Sequence, residues 1–264
     1  ELLLSRDFPH PHILFPRGVC PRCLVIVTEF CSLGNLEAFV EQTQATNSPL
    51  DLKQQVQALW QIANGCVWIK QKCLVHRDLK PKNILISAPE NSVQTPEGRL
   101  NFKAKIADFG LAMSVSTGSY TQFGCGTRPY MAPEVRQENV DFCGSLPVQY
   151  SMDVYSFGWV VLSTMRQLAR VECNHLPKPP LLEDSEEAMD THLQDLEGIL
   201  PAETLAGIPD IKKLILKCCH PRSIKRPSMG DIEKKLSAIR ERGCPAGGRA
   251  PAEAVSADLM VTRE

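Results

Sequence analysis

No run of about 18 apolar residues occurs in the chain, so nothing has the length and composition of a membrane-spanning helix. Net charge is nearly absent too. The 29 basic and 30 acidic residues leave −1 at pH 7. So balanced a chain carries no strong field for nucleic acid or anionic lipid. The N-terminus lacks a basic stretch before an apolar core, and no signal peptide is visible. A complete metal-binding cysteine pattern is missing as well. Cys20-Pro21-Arg22-Cys23 has the spacing of half a zinc knuckle, but no second pair with neighbouring histidines completes it. The stretch is read as a hairpin. The 11 cysteines are odd in number and scattered. Without a secretion signal they are expected to be reduced, buried thiols. The expected location is the cytoplasm, with the nucleus as the alternative. Neither nucleic acid nor a membrane is expected as a partner.

What is present is concentrated in three short stretches. His76-Arg77-Asp78-Leu79-Lys80-Pro81-Lys82-Asn83 comes first, Asp108-Phe109-Gly110 follows 25 residues after Asn83, and Ala132-Pro133-Glu134 comes last. A lone His-Arg-Asp is usually a salt-bridged loop, and a lone Asp-Phe-Gly a turn. In this order and spacing they resemble the catalytic loop, the magnesium loop and the end of the activation segment of the eukaryotic protein kinases. The resemblance implies an α+β, protein-kinase-like fold: mainly the helical large lobe, with a remnant of the β-rich small lobe. It covers residues 1–242, with 1–30 as the small-lobe remnant and 31–242 as the large lobe. Residues 243–264 are rich in Ala, Gly and Pro and are expected not to pack.

Residue roles carry over from the resemblance, position by position onto the matching motifs. Asp78 would accept the proton of the substrate hydroxyl. Lys80 would reach the γ-phosphate. Asn83 and Asp108 would hold Mg²⁺ through hard oxygens. Thr127 would bond Asp78 and Lys80. Lys80 and Thr127 mark serine/threonine rather than tyrosine specificity. The cofactors implied are ATP and Mg²⁺. The ATP site would take the hinge Glu29-Phe30-Cys31, chiefly Glu29 and Cys31, with Leu85 under the adenine and Lys80, Asn83 and Asp108 at the phosphates. Asp153 would receive backbone N–H groups of the catalytic loop, and Arg226 would pair with Glu134. The substrates implied are proteins with Ser or Thr acceptors.

Apolar patterning places the elements. Cys23 to Thr28 reads as a strand and Leu52 to Lys72 as a helix with Val56, Leu59, Ala63, Cys66 and Val67 inward. Residues 84–86 and 104–106 read as paired strands. A buried helix is expected from Met152. Residues 10–13 resemble the end of a helix running into a strand, with Glu1 at the place of the helix glutamate. A glycine-rich phosphate loop and its strand lysine are not found in the 264 residues. The reading is therefore a catalytic domain truncated at its N-terminus, weak toward nucleotide by itself. A non-catalytic scaffold or regulatory module is the alternative. The acidic segment 181–198 is a candidate regulatory-partner site, weighed against a solvated helix face. Ser119 and Thr121 are candidate phosphosites that would pair with Arg77. Lys82, beside the substrate groove, is expected to disfavour basic peptides.

Overall fold

The computed structural model describes residues 9–23, 25–45, 50–88, 101–115, 125–136, 146–165 and 209–242. The expectations for Glu1, Ser119, Thr121, the segment 181–198 and the tail lie outside these residues.

Chain order gives β1 (Pro16–Cys20), β2 (Val25–Thr28), α1 (Leu36–Ala45), α2 (Leu52–Gln71), β3 (Leu74–Val75), β4 (Ile84–Ser87), β5 (Lys103–Ile106), β6 (Met113–Ser114), α3 (Leu146–Met165), α4 (Pro209–Cys218) and α5 (Met229–Glu241). The strands form three antiparallel pairs: β1 with β2, β3 with β6 and β4 with β5. The β1–β2 hairpin falls within residues 1–30, the part expected to belong to the small lobe. Its Val19, Val25, Ile26 and Val27 are 42–51% exposed.

Helix α2 starts where its sequence says it should. Asp51 accepts from Gln54 N at 2.7 Å, and Gln54 Oε1 accepts from Asp51 N at 3.0 Å. This reciprocal cap satisfies two amides that the helix leaves unpaired. Val56, Leu59, Ile62, Ala63, Cys66 and Ile69 form its buried stripe, whereas Val67 is only half-buried. Gly65 lets the strands approach. A Cβ there would stand 2.9 Å from the His12 carbonyl and 3.0 Å from Ile106 Cδ1.

Helix α3 is apolar on nearly every face and is buried from Ser151 to Leu162. An all-round apolar helix belongs at the centre of a core, and α2 and α4 pack on it. Helix α5 closes α2 from outside with Ile232, Leu236 and Ile239. Trp60 Nε1 donates to Glu233 at 2.6 Å, and the Arg240 guanidinium lies 3.9 Å from the Trp60 ring centroid.

Three expectations change in detail. The strand after Cys23 begins at Val25. The strand near His10 begins only at Pro16, because His12 and Leu14 already bond Ile106 as a short parallel bridge. The central helix begins at Leu146, not Met152. The cysteines are not uniformly buried either. Cys31, Cys66, Cys218 and Cys219 are, but Cys20 and Cys125 are half-exposed, and Cys23 and Cys73 are exposed.

Candidate active site

The loop after β3 carries His76 to Asn83, and α3 holds it from beneath. Asp153 accepts His76 N at 2.7 Å on Oδ2 and Arg77 N at 2.9 Å on Oδ1. Burial raises the Asp153 carboxyl above its ordinary range, against the pull of His76 and these two amides. His76 spans the loop. Its Nε2 bonds the Ala107 carbonyl at 3.0 Å, and its Nδ1 accepts Asp78 N at 3.3 Å. Its ring meets Phe109 edge-on, with centroids 4.9 Å apart. Ala107 N in turn bonds the Asn83 carbonyl at 2.8 Å. Ala107 is thus clamped from both sides, and the clamp sets Asp108 beside the loop.

Asp78 is 7% exposed. Its Oδ1 accepts Thr127 N at 2.9 Å and Thr127 Oγ1 at 2.7 Å. Its Oδ2 accepts Lys80 Nζ at 2.7 Å and Asn83 Nδ2 at 3.0 Å. Lys80 Nζ also donates to Thr127 Oγ1 at 2.6 Å. Burial alone would raise the Asp78 carboxyl, but the hydrogen bonds from Lys80 and Thr127 outweigh it and hold the group below its ordinary value. A depressed carboxyl stabilises the fold above its unfolded value of about pH 4 and loses that contribution as pH falls through the folded value. At neutral pH the group is a carboxylate.

Asn83 spends its amide nitrogen on Asp78, bonding the Asp78 carbonyl at 2.9 Å as well as Oδ2. Its amide oxygen is the atom left to take a cation. Asp108 has φ +62°, the left-handed region that a short polar side chain tolerates best. Its carboxylate is exposed and Oδ1 accepts Gly110 N at 3.4 Å. One neutral oxygen and one carboxylate are a donor set that suits Mg²⁺, which keeps waters and shares phosphate oxygens.

At the hinge, Lys105 Nζ donates to Glu29 Oε1 at 2.5 Å. Lys105 pairs in register with Leu85, so the ion pair ties Glu29 to the β4–β5 ribbon. Leu85 is half-buried. Asn35 bridges to it, and Ile86 N bonds the Gly34 carbonyl at 2.8 Å. The Glu29 carbonyl accepts Thr28 Oγ1 at 3.2 Å, and the Cys31 carbonyl accepts Gly34 N at 3.2 Å. Each carbonyl keeps a second lone pair. The Cys31 side chain is buried.

The expected pair of Glu134 and Arg226 also meets. Arg226 donates to both Glu134 oxygens, at 2.5 and 2.7 Å, and to the carbonyls of Ser151, Pro221 and His220. All five donors of the fork are used in a site where the Arg226 side chain is 0% exposed. Tyr155 lies under it, 4.9 Å from the guanidinium carbon to the ring centroid.

Besides the pair of Lys105 with Glu29, two features escaped the sequence reading. Gly126 has φ +119°, and a Cβ there would stand 2.6 Å from the Arg77 carbonyl. The activation segment therefore packs on the catalytic loop one residue before Thr127. Gly126→Ala should pull Thr127 off Asp78 and lower any turnover well before it lowers Tm. Paired rate and thermal-melt measurements check this; unchanged turnover would count against the packing. The second is Lys82, which pairs with Glu37 at 3.4 Å, with side chains 65% and 41% exposed. The cation expected to face basic peptides thus has a neighbouring carboxylate that offsets its charge. Asn35 caps α1 through Ala38 N at 2.9 Å, and Glu37 in the first turn then reaches Lys82.

A cavity of about 530 Å³ lies between α2, α3 and the loop before α5, lined by Cys66, Lys70, Asp153 and Ser228 among others. None of Asp78, Asn83 and Asp108 lines it.

This arrangement is a carboxylate cradled by Lys80, Thr127 and Asn83, with a second carboxylate clamped alongside. The family model for protein tyrosine and serine/threonine kinases matches residues 1–236. The chain belongs to that family. It is 30% identical over 247 residues to the human dual specificity testis-specific protein kinase 2, covering 92% of this chain and 38% of that protein. It is 30% identical over 250 residues to the putative serine/threonine-protein kinase/receptor R831 of Acanthamoeba polyphaga mimivirus, covering 92% of this chain and 13% of that protein. It is 26% identical over 245 residues to the probable serine/threonine-protein kinase roco8 of Dictyostelium discoideum, covering 91% of this chain and 12% of that protein. The chain therefore spans well under half the length of these relatives. Among the described residues, no helix is long and apolar enough to cross a membrane.

Proposed function

We propose that this domain transfers the γ-phosphoryl group of ATP to Ser or Thr hydroxyls of protein substrates, with Mg²⁺ held by Asn83 and Asp108. The observation that carries the reading is the closed network of Asp78, Lys80, Thr127 and Asn83. Four donors meet the two Asp78 oxygens. That number fills the roughly four acceptor sites a carboxylate offers. A substrate hydroxyl must displace one donor to reach it. Lys80 is the donor with a reason to leave, because a phosphate offers it a stronger anionic partner. With Lys80 turned to the γ-phosphate, the Oδ2 lone pair that it had held would be open to the hydroxyl proton. Thr127 and Asn83 hold the carboxylate in place meanwhile. Bound Mg²⁺ would neutralise charge on the phosphates, which is most of what such a transfer asks of a protein.

Phosphoamino-acid analysis tests the acceptor class. Mixed Ser, Thr and Tyr peptides are offered to the chain joined to a small lobe that bears a glycine-rich loop and lysine. Label on Ser and Thr supports the reading; label confined to Tyr contradicts it.

Arg77 supports a regulatory extension. Its Nε donates to the Leu111 carbonyl, while its Nη1 is buried without a partner among the described residues. A phosphate on Ser119 or Thr121 would give that nitrogen a charge-assisted bond.

Substrate choice follows from Lys82 and Glu37. The pair is self-neutralising, so the wild type should show little bias against basic peptides. Lys82→Glu would leave two neighbouring carboxylates and should favour basic peptides a few-fold, since an exposed pair is worth about 0–1 kcal/mol. A positional peptide library reads this. No change on Lys82→Glu would place the pair outside the substrate groove.

A further inference from the structure

We propose that Cys20 and Cys23 form a reversible disulfide, which makes the turn between β1 and β2 a thiol-oxidation site. Their Sγ atoms lie 3.1 Å apart. That is inside ordinary contact distance and about 1 Å from an S–S bond, a gap that small side-chain rotations close. The register explains the proximity. Cys20 is the last residue of β1 and pairs with Val25, the first of β2. The turn brings Cys23 back over the strand end. Cys20 is half-exposed and Cys23 exposed, so a small oxidant can reach both.

The other described thiols show the contrast. Burial raises the thiols of Cys31 and Cys66, raises Cys218 well above its ordinary value and pushes Cys219 up to about 12. Such groups stay protonated and inert at neutral pH. Cys20 runs the other way. When it ionises it accepts the hydrogen bond from the Cys23 thiol, and its pKa lies below the ordinary value while that of Cys23 lies above. One attacking thiol beside one resolving thiol is the division of labour that exchange chemistry needs. A metal is a poor competitor for the pair. Two thiols are two ligands short of a closed tetrahedral site, and no group of three or more His, Cys, Asp or Glu with metal-site geometry exists among the described residues.

The co-reactant is a small-molecule disulfide such as oxidised glutathione. The Cys20 thiolate attacks one of its sulfurs. The glutathione S–S bond breaks, one glutathione thiolate leaves and takes up a proton, and a mixed disulfide stands on Cys20. Cys23 then gives up its proton, bonds Cys20 Sγ and expels the second glutathione thiolate. The protein loses two electrons and two protons, and the glutathione disulfide gains them. The product staples the end of the β1–β2 hairpin, and β2 runs directly into Glu29.

The 264-residue chain tests this. It is equilibrated in glutathione redox buffers, quenched in acid, alkylated and mapped by mass spectrometry. The expected product links Cys20 to Cys23 with a loss of about two mass units and reverts in excess reduced glutathione. Cys23→Ser should stop at a glutathione adduct on Cys20. Cys23 lies in the turn and is exposed, so the variant should keep the wild-type circular dichroism. Stable glutathione adducts on Cys20 and Cys23 of the wild type would overturn the proposal. So would a pair that stays reduced while exposed Cys73 is modified.

Discussion

Asp78→Asn should remove phosphoryl transfer while leaving the fold intact. A positioned general base contributes typically about 100- to 10,000-fold, so the loss should be at least about 100-fold. An amide is close to isosteric with the carboxylate, but it cannot take a proton. It also presents one NH₂ to Lys80 Nζ or Thr127, which now donate at 2.7 Å to the Asp78 carboxylate. Two donors then face each other, and the network of Lys80, Thr127 and Asn83 loosens as well. Turnover of Ser/Thr peptides measures the effect, with circular dichroism as the check on folding. A variant with half of wild-type turnover would remove Asp78 from its assigned role.

Arg226→Met should be the most destabilising single change at a site remote from the chemistry. It leaves Glu134 charged and 3% exposed, and it strands the carbonyls of Ser151, Pro221 and His220. Removing one partner of a buried ion pair costs about 3–5 kcal/mol. That is a large share of the stability of an ordinary domain, about 5–15 kcal/mol. The double variant Arg226→Met with Glu134→Leu should recover part of the loss, because no buried charge is then left alone. Denaturant unfolding of the three variants measures it. A single variant within about 1 kcal/mol of wild type would show that the pair contributes little.

The candidate site was legible in the sequence through resemblance, most readily where it is local. Asp78, Lys80 and Asn83 lie in one loop, so the spacing that carries the resemblance survives in the primary order. Contacts across long separations left no local spacing to read and rested on the resemblance alone. Glu134 and Arg226 are 92 positions apart, and no periodicity links them. The pair of Lys105 with Glu29 was not legible at all. It depends on β5 lying under the hinge, and a strand lysine looks like any solvent-facing residue until the ribbon is placed. Gly126 was passed over because its demand is a close approach to the Arg77 carbonyl, which one residue in a polar loop does not announce. The early start of α3 hid behind Pro147, since proline in a first turn marks a helix start as readily as a loop.

The most direct test of the account is the rate at which labelled phosphate passes from Mg-ATP to a serine peptide. The chain joined to a small lobe with a glycine-rich loop and lysine is assayed beside its Asp108→Asn variant. Asp108 is exposed, so the substitution should leave Tm unchanged. The account predicts transfer by the parent form and a loss of at least about 100-fold in the variant, because the metal then loses its carboxylate. Undiminished transfer in the variant, or none in a parent form that binds Mg-ATP, would contradict it.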